Sequence, residues 1–158
     1  SLHSPVHTYS EQGVYIATLA ASKPCSADEY SRTLSVEDLG LVLSPALVTG
    51  QAPPGQTAIY TLSLTNTGTI SDSFVLALGG QLWSTALSAD AIGPLPPGSQ
   101  GTFRVLVTVP PYAVPGELDQ VTVQAVSSAD PRQPPASATT VLTTTAVPYR
   151  RYLPLVFR

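Results

Sequence analysis

The sequence predicts an all-β fold, an antiparallel two-sheet sandwich, and three observations carry that prediction. The 158 residues include 17 Ser and 18 Thr against one Lys, one Asn and no Met, so β formers are abundant and helix formers scarce. The 16 Pro and 11 Gly recur at short intervals, as turns between short strands require. Apolar and hydroxyl residues alternate over several stretches, which is the pattern of a sheet with one face buried and one in water.

Taken in order, His7-Thr8-Tyr9 leads through the polar turn Ser10-Glu11-Gln12-Gly13 into an extended run from Val14 to Ser22. Tyr15, Ala17, Leu19 and Ala21 share one face of that run. A break is expected from Pro24 to Asp28, followed by an alternating strand, Glu29 to Val36, with Tyr30, Arg32, Leu34 and Val36 on one side. A second unit starts after Glu37-Asp38. Leu39 to Leu43 is a short apolar strand stopped by Pro45, and Gln51 to Gln56 is a turn cluster. Thr57 to Thr65 sets Ala58, Tyr60, Leu62 and Leu64 against a face that is mostly Thr and Ser, and Asn66-Thr67-Gly68 turns the chain. Further strands are expected at Ser73 to Leu78, Leu82 to Leu87 around Trp83, Gly101 to Val109, Asp119 to Ser127 and Ala138 to Val147, with Pro94 to Gly98 as a turn. The expected core is Tyr60, Leu62, Leu64, Phe74, Trp83, Val105 and Val107.

Two resemblances sharpen this outline. His7-Thr8-Tyr9, Gly13, Tyr15, Ala17 and Leu19 resemble the closing strands of a PKD domain, an immunoglobulin-like module of surface proteins and secreted hydrolases, over residues 7–36. The earlier strands of such a unit have no counterpart upstream of Ser1. Pro54-Gly55-Gln56, Tyr60-x-Leu62-x-Leu64-x-Asn66-Thr67-Gly68, Phe74, Trp83, Pro97-Gly98 and the strand Val105 to Pro110 resemble the NPCBM-associated and CARDB-like group of immunoglobulin-fold modules, over residues 39–147. The organisation implied is 1–36 as the C-terminal strands of a PKD-like unit, 37–147 as an immunoglobulin-like β-sandwich, and 148–158 as a hydrophobic C-terminal tail. The second family serves as spacer, adhesive and accessory module, so its resemblance implies a fold more than an activity.

Composition also bounds function. Seven Lys and Arg against ten Asp and Glu leave no basic field for phosphates, so nucleic acid is not an expected partner. No apolar run approaches the roughly 20 residues of a membrane-spanning helix. Few charges and many Ser, Thr and Gln predict a secreted, extracellular or cell-surface location. The opening Ser1-Leu2-His3, with no Met and no basic or apolar leader, predicts an internal or processed piece.

The inventory for chemistry is thin. His3 and His7 are separated by Pro5, which argues against a helical ligand pair, and no nucleophile elbow, zinc motif or phosphate loop occurs. No catalytic residue, metal site or cofactor is expected, and the chain is not expected to be an enzyme. Cys25 is alone, so it reads first as a buried or idle apolar residue and second as a thiol with a partner in another chain. Asp28-Glu29, Glu37-Asp38 and Asp130 are the densest carboxylates, and Glu37-Asp38 reads as a solvated hinge in preference to a calcium site. Lys23 and Asn66 fall in different units, which argues against an isopeptide cross-link. Tyr112, Tyr149 and Tyr152 are candidates for exposure without forming a sugar platform.

What remains is assembly. The reading is a structural or adhesive module whose partners are copies of itself or other modules of the same surface protein, joined into filaments by strand pairing between subunits. The residues expected to carry it are Tyr15, Leu19, Tyr30 and Leu34 in the first unit, and Tyr152, Leu153, Leu155 and Phe157 in the tail. The alternative is a non-catalytic C-terminal accessory segment of a secreted hydrolase, with a polysaccharide as partner.

Overall fold

The computed structural model describes residues 6–132 and 134–149. His3 and the tail residues Tyr152, Leu153, Leu155 and Phe157 lie outside the described residues. Among the described residues eleven strands form three sheets: β1 (Gly13–Lys23) and β2 (Ser26–Val36) pair there only with each other; β3 (Leu41–Ser44), β5 (Thr57–Asn66), β9 (Gln100–Thr108) and β7 (Ser84–Leu87) form a four-stranded sheet in that order; β4 (Leu47–Ala52), β11 (Ser137–Ala146), β10 (Leu118–Ser127), β6 (Asp72–Gly79) and β8 (Ala91–Leu95) form a five-stranded one. No helix occurs among the described residues, and none is long and apolar enough to cross a membrane.

Alternation decides which side of each strand is dry. On β5, Ala58, Tyr60, Leu62 and Leu64 are buried while Thr57, Ile59 and Thr61 are exposed. On the facing sheet, β10 buries Val121, Val123 and Ala125, and β11 buries Leu142. These two inner faces, with Phe74, Phe103, Val105 and Val107, form one core, in which each wholly buried Leu, Val or Phe contributes about 1.5–3 kcal/mol of burial free energy. Thr140 and Thr144 also point into it, and both are satisfied: Thr140 donates to the Pro45 carbonyl at 3.1 Å, and Thr144 bonds the Tyr60 hydroxyl at 2.6 Å. The Asn66 amide donates to the carbonyls of Ile70 and Leu95, and its oxygen accepts the Gly68 N–H. A Cβ on Gly68 would sit 2.7 Å from the Asp38 carbonyl, so the Asn-x-Gly pair is a steric and hydrogen-bonding requirement of this corner.

Four expectations need correction. Two strands, β4 and β8, lie where turns and loops were expected, taking in Gln51, Ala52 and Pro94. Both are sheet edges, β4 pairing in parallel with β11 alone. An edge needs hydrogen bonds on one side only, which is why Pro94 is accommodated; β4 does alternate, with Val48, Gly50 and Ala52 turned inward, but Gly50 and Ala52 are too small to mark that face as apolar in the sequence. The break after Lys23 is just Pro24-Cys25, with β2 resuming at Ser26. Trp83 precedes β7 and is only partly buried, packed on the rim of the core, because its edge position leaves one side of the ring uncovered. The other six expected core residues are buried.

Candidate association surface

The hairpin of β1 and β2 is paired over all eleven residues of each strand, from Gly13↔Val36 to Lys23↔Ser26. The register sets Tyr15 opposite Leu34 and Leu19 opposite Tyr30, so the four hairpin residues expected to carry assembly share one face. Leu19 and Tyr30 are 62% and 68% exposed, while Tyr15 and Leu34 are half-buried. The other face carries Val14 and Ile16, also mostly in water. A two-stranded sheet of this kind is marginal by itself.

Residues upstream of β1 cover the base of the first face. The Tyr9 ring lies 4.2 Å from that of Tyr15, the His7 ring meets Tyr9 edge-on at 4.6 Å, and the Tyr15 hydroxyl donates to the Glu11 carbonyl at 2.9 Å. The His-x-Tyr motif therefore builds an aromatic ladder against the hairpin. Beyond it a hollow of about 500 Å³ opens between His7, Tyr9, Leu19, Tyr30 and Arg32.

Glu37-Asp38, expected as a solvated hinge, and the two residues that follow are stitched to the sandwich. Asp38 N–H donates to the Thr69 hydroxyl and its carbonyl accepts the Thr69 N–H; the Gly40 carbonyl accepts from Thr67 N–H, and Arg132 Nη2 donates to the Leu39 carbonyl at 3.1 Å. These partners come from loops distant in sequence, which is why residue type alone suggested a free hinge.

Asp130 is not available to a cation. Its carboxylate accepts from Arg132 Nε and Nη2, from the Arg132 N–H and from the Ala136 N–H. The Arg132 side-chain hydrogen bonds, aided by the two backbone donors, hold its carboxyl well below the usual carboxylate range, and the same contacts raise the Arg132 guanidinium. Two further buried carboxylates escaped sequence reasoning. Asp119 accepts from Leu82 N–H and Trp83 N–H, and Asp72 accepts from the Ser127 hydroxyl and from Ser73 N–H and Ala129 N–H. All three brace loops. Among the described residues no three His, Cys, Asp or Glu gather as metal ligands would. Cys25, expected as a buried or idle residue or as a thiol partnered in another chain, is exposed at the hairpin tip, which rules out burial within this fold. Tyr112 and Tyr149 are exposed, and Tyr149 donates to the Pro54 carbonyl.

Two facing antiparallel-dominated sheets around one core define an immunoglobulin-like β-sandwich. No family model matches the chain, and no curated protein matches it in sequence. Among solved structures, a family 123 glycoside hydrolase from Clostridium perfringens superposes with a TM-score of 0.51 at 9% identity, over 73% of this chain and 28% of that one. The PapD-like domain 7 of human CEP192 gives a TM-score of 0.49 at 15% identity, over 70% of this chain and 87% of that one. The periplasmic chaperone SfaE gives 0.48 at 14%, over 73% and 61%. At such identities the likeness concerns the fold alone.

Proposed function

We propose that this chain is a non-catalytic structural and adhesive module of a secreted surface protein, which associates with copies of itself or with sister modules by strand pairing through β1 and β2, and by extension builds filaments. In this reading residues 7–36 are the closing strands of a PKD-like unit and 39–147 an NPCBM-associated type of sandwich. The observation that carries it is the separate two-stranded sheet, with Val14, Ile16, Leu19 and Tyr30 exposed and neither outer edge paired among the described residues. Unpaired edges template the addition of strands. A surface rich in Ser and Thr and poor in charge supports an extracellular setting.

The test is mass in solution, by sedimentation, of the whole chain and of chains lacking 1–36 or 149–158, with circular dichroism to check that each remains folded. Concentration-dependent assembly that is lost on deleting 1–36 is expected. A monomer before and after deletion overturns the proposal, and retention of that monomer on an insoluble polysaccharide would replace it with the accessory reading.

A further inference from the structure

We infer that the free edge of β2 pairs antiparallel with β2 of a second copy, about a two-fold axis through Tyr30, so that Asp28 of each copy meets Arg32 of the other. The inference rests on the strand-pairing reading above and specifies its partner and register.

Backbone geometry comes first. The turn Pro24-Cys25 makes Lys23 and Ser26 the first hydrogen-bonded pair of the hairpin, and such pairs then alternate along it. Thr18 and Ser31, whose hydroxyls lie 2.8 Å apart, fall on the intervening close pairs, as that phase requires. The even-numbered residues of β2 therefore spend their N–H and C=O groups on β1. Ala27, Glu29, Ser31, Thr33 and Ser35 turn theirs outward, and no other described segment bonds them; the Glu29 N–H donates to its neighbour Asp28 Oδ1 at 3.0 Å, a local bond that pairing exchanges for one across the new edge.

A two-fold antiparallel pairing must set those outward residues against one another. An axis through Glu29 would oppose two Glu29 carboxylates. An axis through Ser31 would set Asp28 against Leu34 and Arg32 against Tyr30. An axis through Tyr30 opposes Asp28 and Arg32 twice, Glu29 with Ser31, and Ala27 with Thr33. Within one copy Asp28 and Arg32 sit on the same face but about 13 Å apart along the strand, too far to pair with each other. The ion pair found among the described residues is Asp130–Arg132, so Asp28, Glu29 and Arg32, the three charges of β2, have no ion-pair partner among them.

Packing points the same way. On the shared face the central row of the joined sheet reads Leu19, Tyr30, the partner copy's Tyr30 and the partner copy's Leu19, flanked on either side by an Asp28–Arg32 pair. The two Tyr30 rings, each 68% exposed in a single copy, thus become neighbours across a close, non-hydrogen-bonded pair, where cross-strand side chains interact best. The edge of β1 has no charge between Gly13 and Ser22 and so nothing to select a register. The contact closes on itself, so growth beyond a dimer requires a second surface.

The test is a charge swap in the full chain, read by sedimentation at low salt. Wild-type protein is expected to dimerise, Asp28→Arg and Arg32→Asp each to weaken dimerisation at least tenfold, an equimolar mixture of the two to form heterodimers, and the double variant Asp28→Arg/Arg32→Asp to dimerise again. A second readout is Tyr30→Cys in a Cys25→Ser background, expected to form a disulfide-linked dimer on mild oxidation, because the axis brings the two positions 30 within bridging distance. Self-association that is lost on deleting 1–36 but unchanged in the charge variants and uncross-linked at position 30 overturns this register and leaves strand pairing standing. A wild-type monomer at every concentration overturns both.

Discussion

Tyr60→Phe removes a single oxygen and tests how the two sheets of the sandwich are tied. Tyr60 belongs to β5 and Thr144 to β11, on opposite sheets, and their hydroxyls lie 2.6 Å apart. Tyr60 is 5% exposed and Thr144 wholly buried, and Thr144 Oγ1 has no second partner among the described hydrogen bonds. The Phe variant therefore strands a dry hydroxyl, and an expected loss of about 1–3 kcal/mol follows from the desolvation left uncompensated. Tyr60→Phe/Thr144→Val removes both partners and is expected to recover about 1 kcal/mol or more relative to the sum of the single losses. Equilibrium urea unfolding measures each corner of the cycle, with the slope checked for constancy. Burial pushes the Tyr60 hydroxyl pKa up, against the opposing pull of the Thr144 hydrogen bond. A raised folded-state pKa means stability that is whole below the ordinary tyrosine value of about 10 and lost as pH climbs past it. Deleting the hydroxyl should remove this alkaline loss. A Phe variant as stable as the parent, with an additive double variant, would refute the claim that this bond joins the sheets.

Three further outcomes are expected. Gly50→Ala places a Cβ 2.5 Å from Tyr60 Oη and 2.7 Å from Cε1, so it should cost about 1–3 kcal/mol in the same unfolding assay, and less when combined with Tyr60→Phe. Trp83→Ala should cost about 2 kcal/mol, below the roughly 3–5 of a wholly buried aromatic, since part of the ring already faces water; a larger loss would show that the rim is the better-packed part of the core. The Asp130 carboxyl, depressed by Arg132, contributes stability that is complete above the ordinary carboxylate pKa of about 4 and lost as pH falls below it, so the thermal midpoint of Asp130→Asn should fall less between pH 6 and pH 2 than that of the parent.

Sequence alone determined the sandwich because the information is local. From Thr57 to Thr65 and from Gly101 to Val109 the side chains alternate with a period of two, and that period both identifies a strand and names its dry face. The Pro-Gly turns at residues 54–55 and 97–98 are equally local and stand where they were expected. The shared face of Tyr15, Leu19, Tyr30 and Leu34 was legible up to register, which needed the length of the turn: Pro24-Cys25 is short enough to align all eleven pairs. Tertiary structure decided the rest. The edge strand β4 draws its hydrogen bonds from β11, far away in sequence, and β8 pairs with β6 through a register shifted between Asp72 and Phe74, so pairing more than residue pattern defines both as strands. Asp72 and Asp119 became loop braces only once strand order brought Ser127 and Leu82 to them, whereas Asp130 braces its own loop through Arg132 and Ala136 close by in the chain. Trp83 was legible as apolar, but how deeply it is buried depends on the sheet edge beside it. A pattern along the chain states which side chains avoid water; only the assembled sheets settle what covers each of them, because burial is a property of neighbours that the chain brings together from a distance.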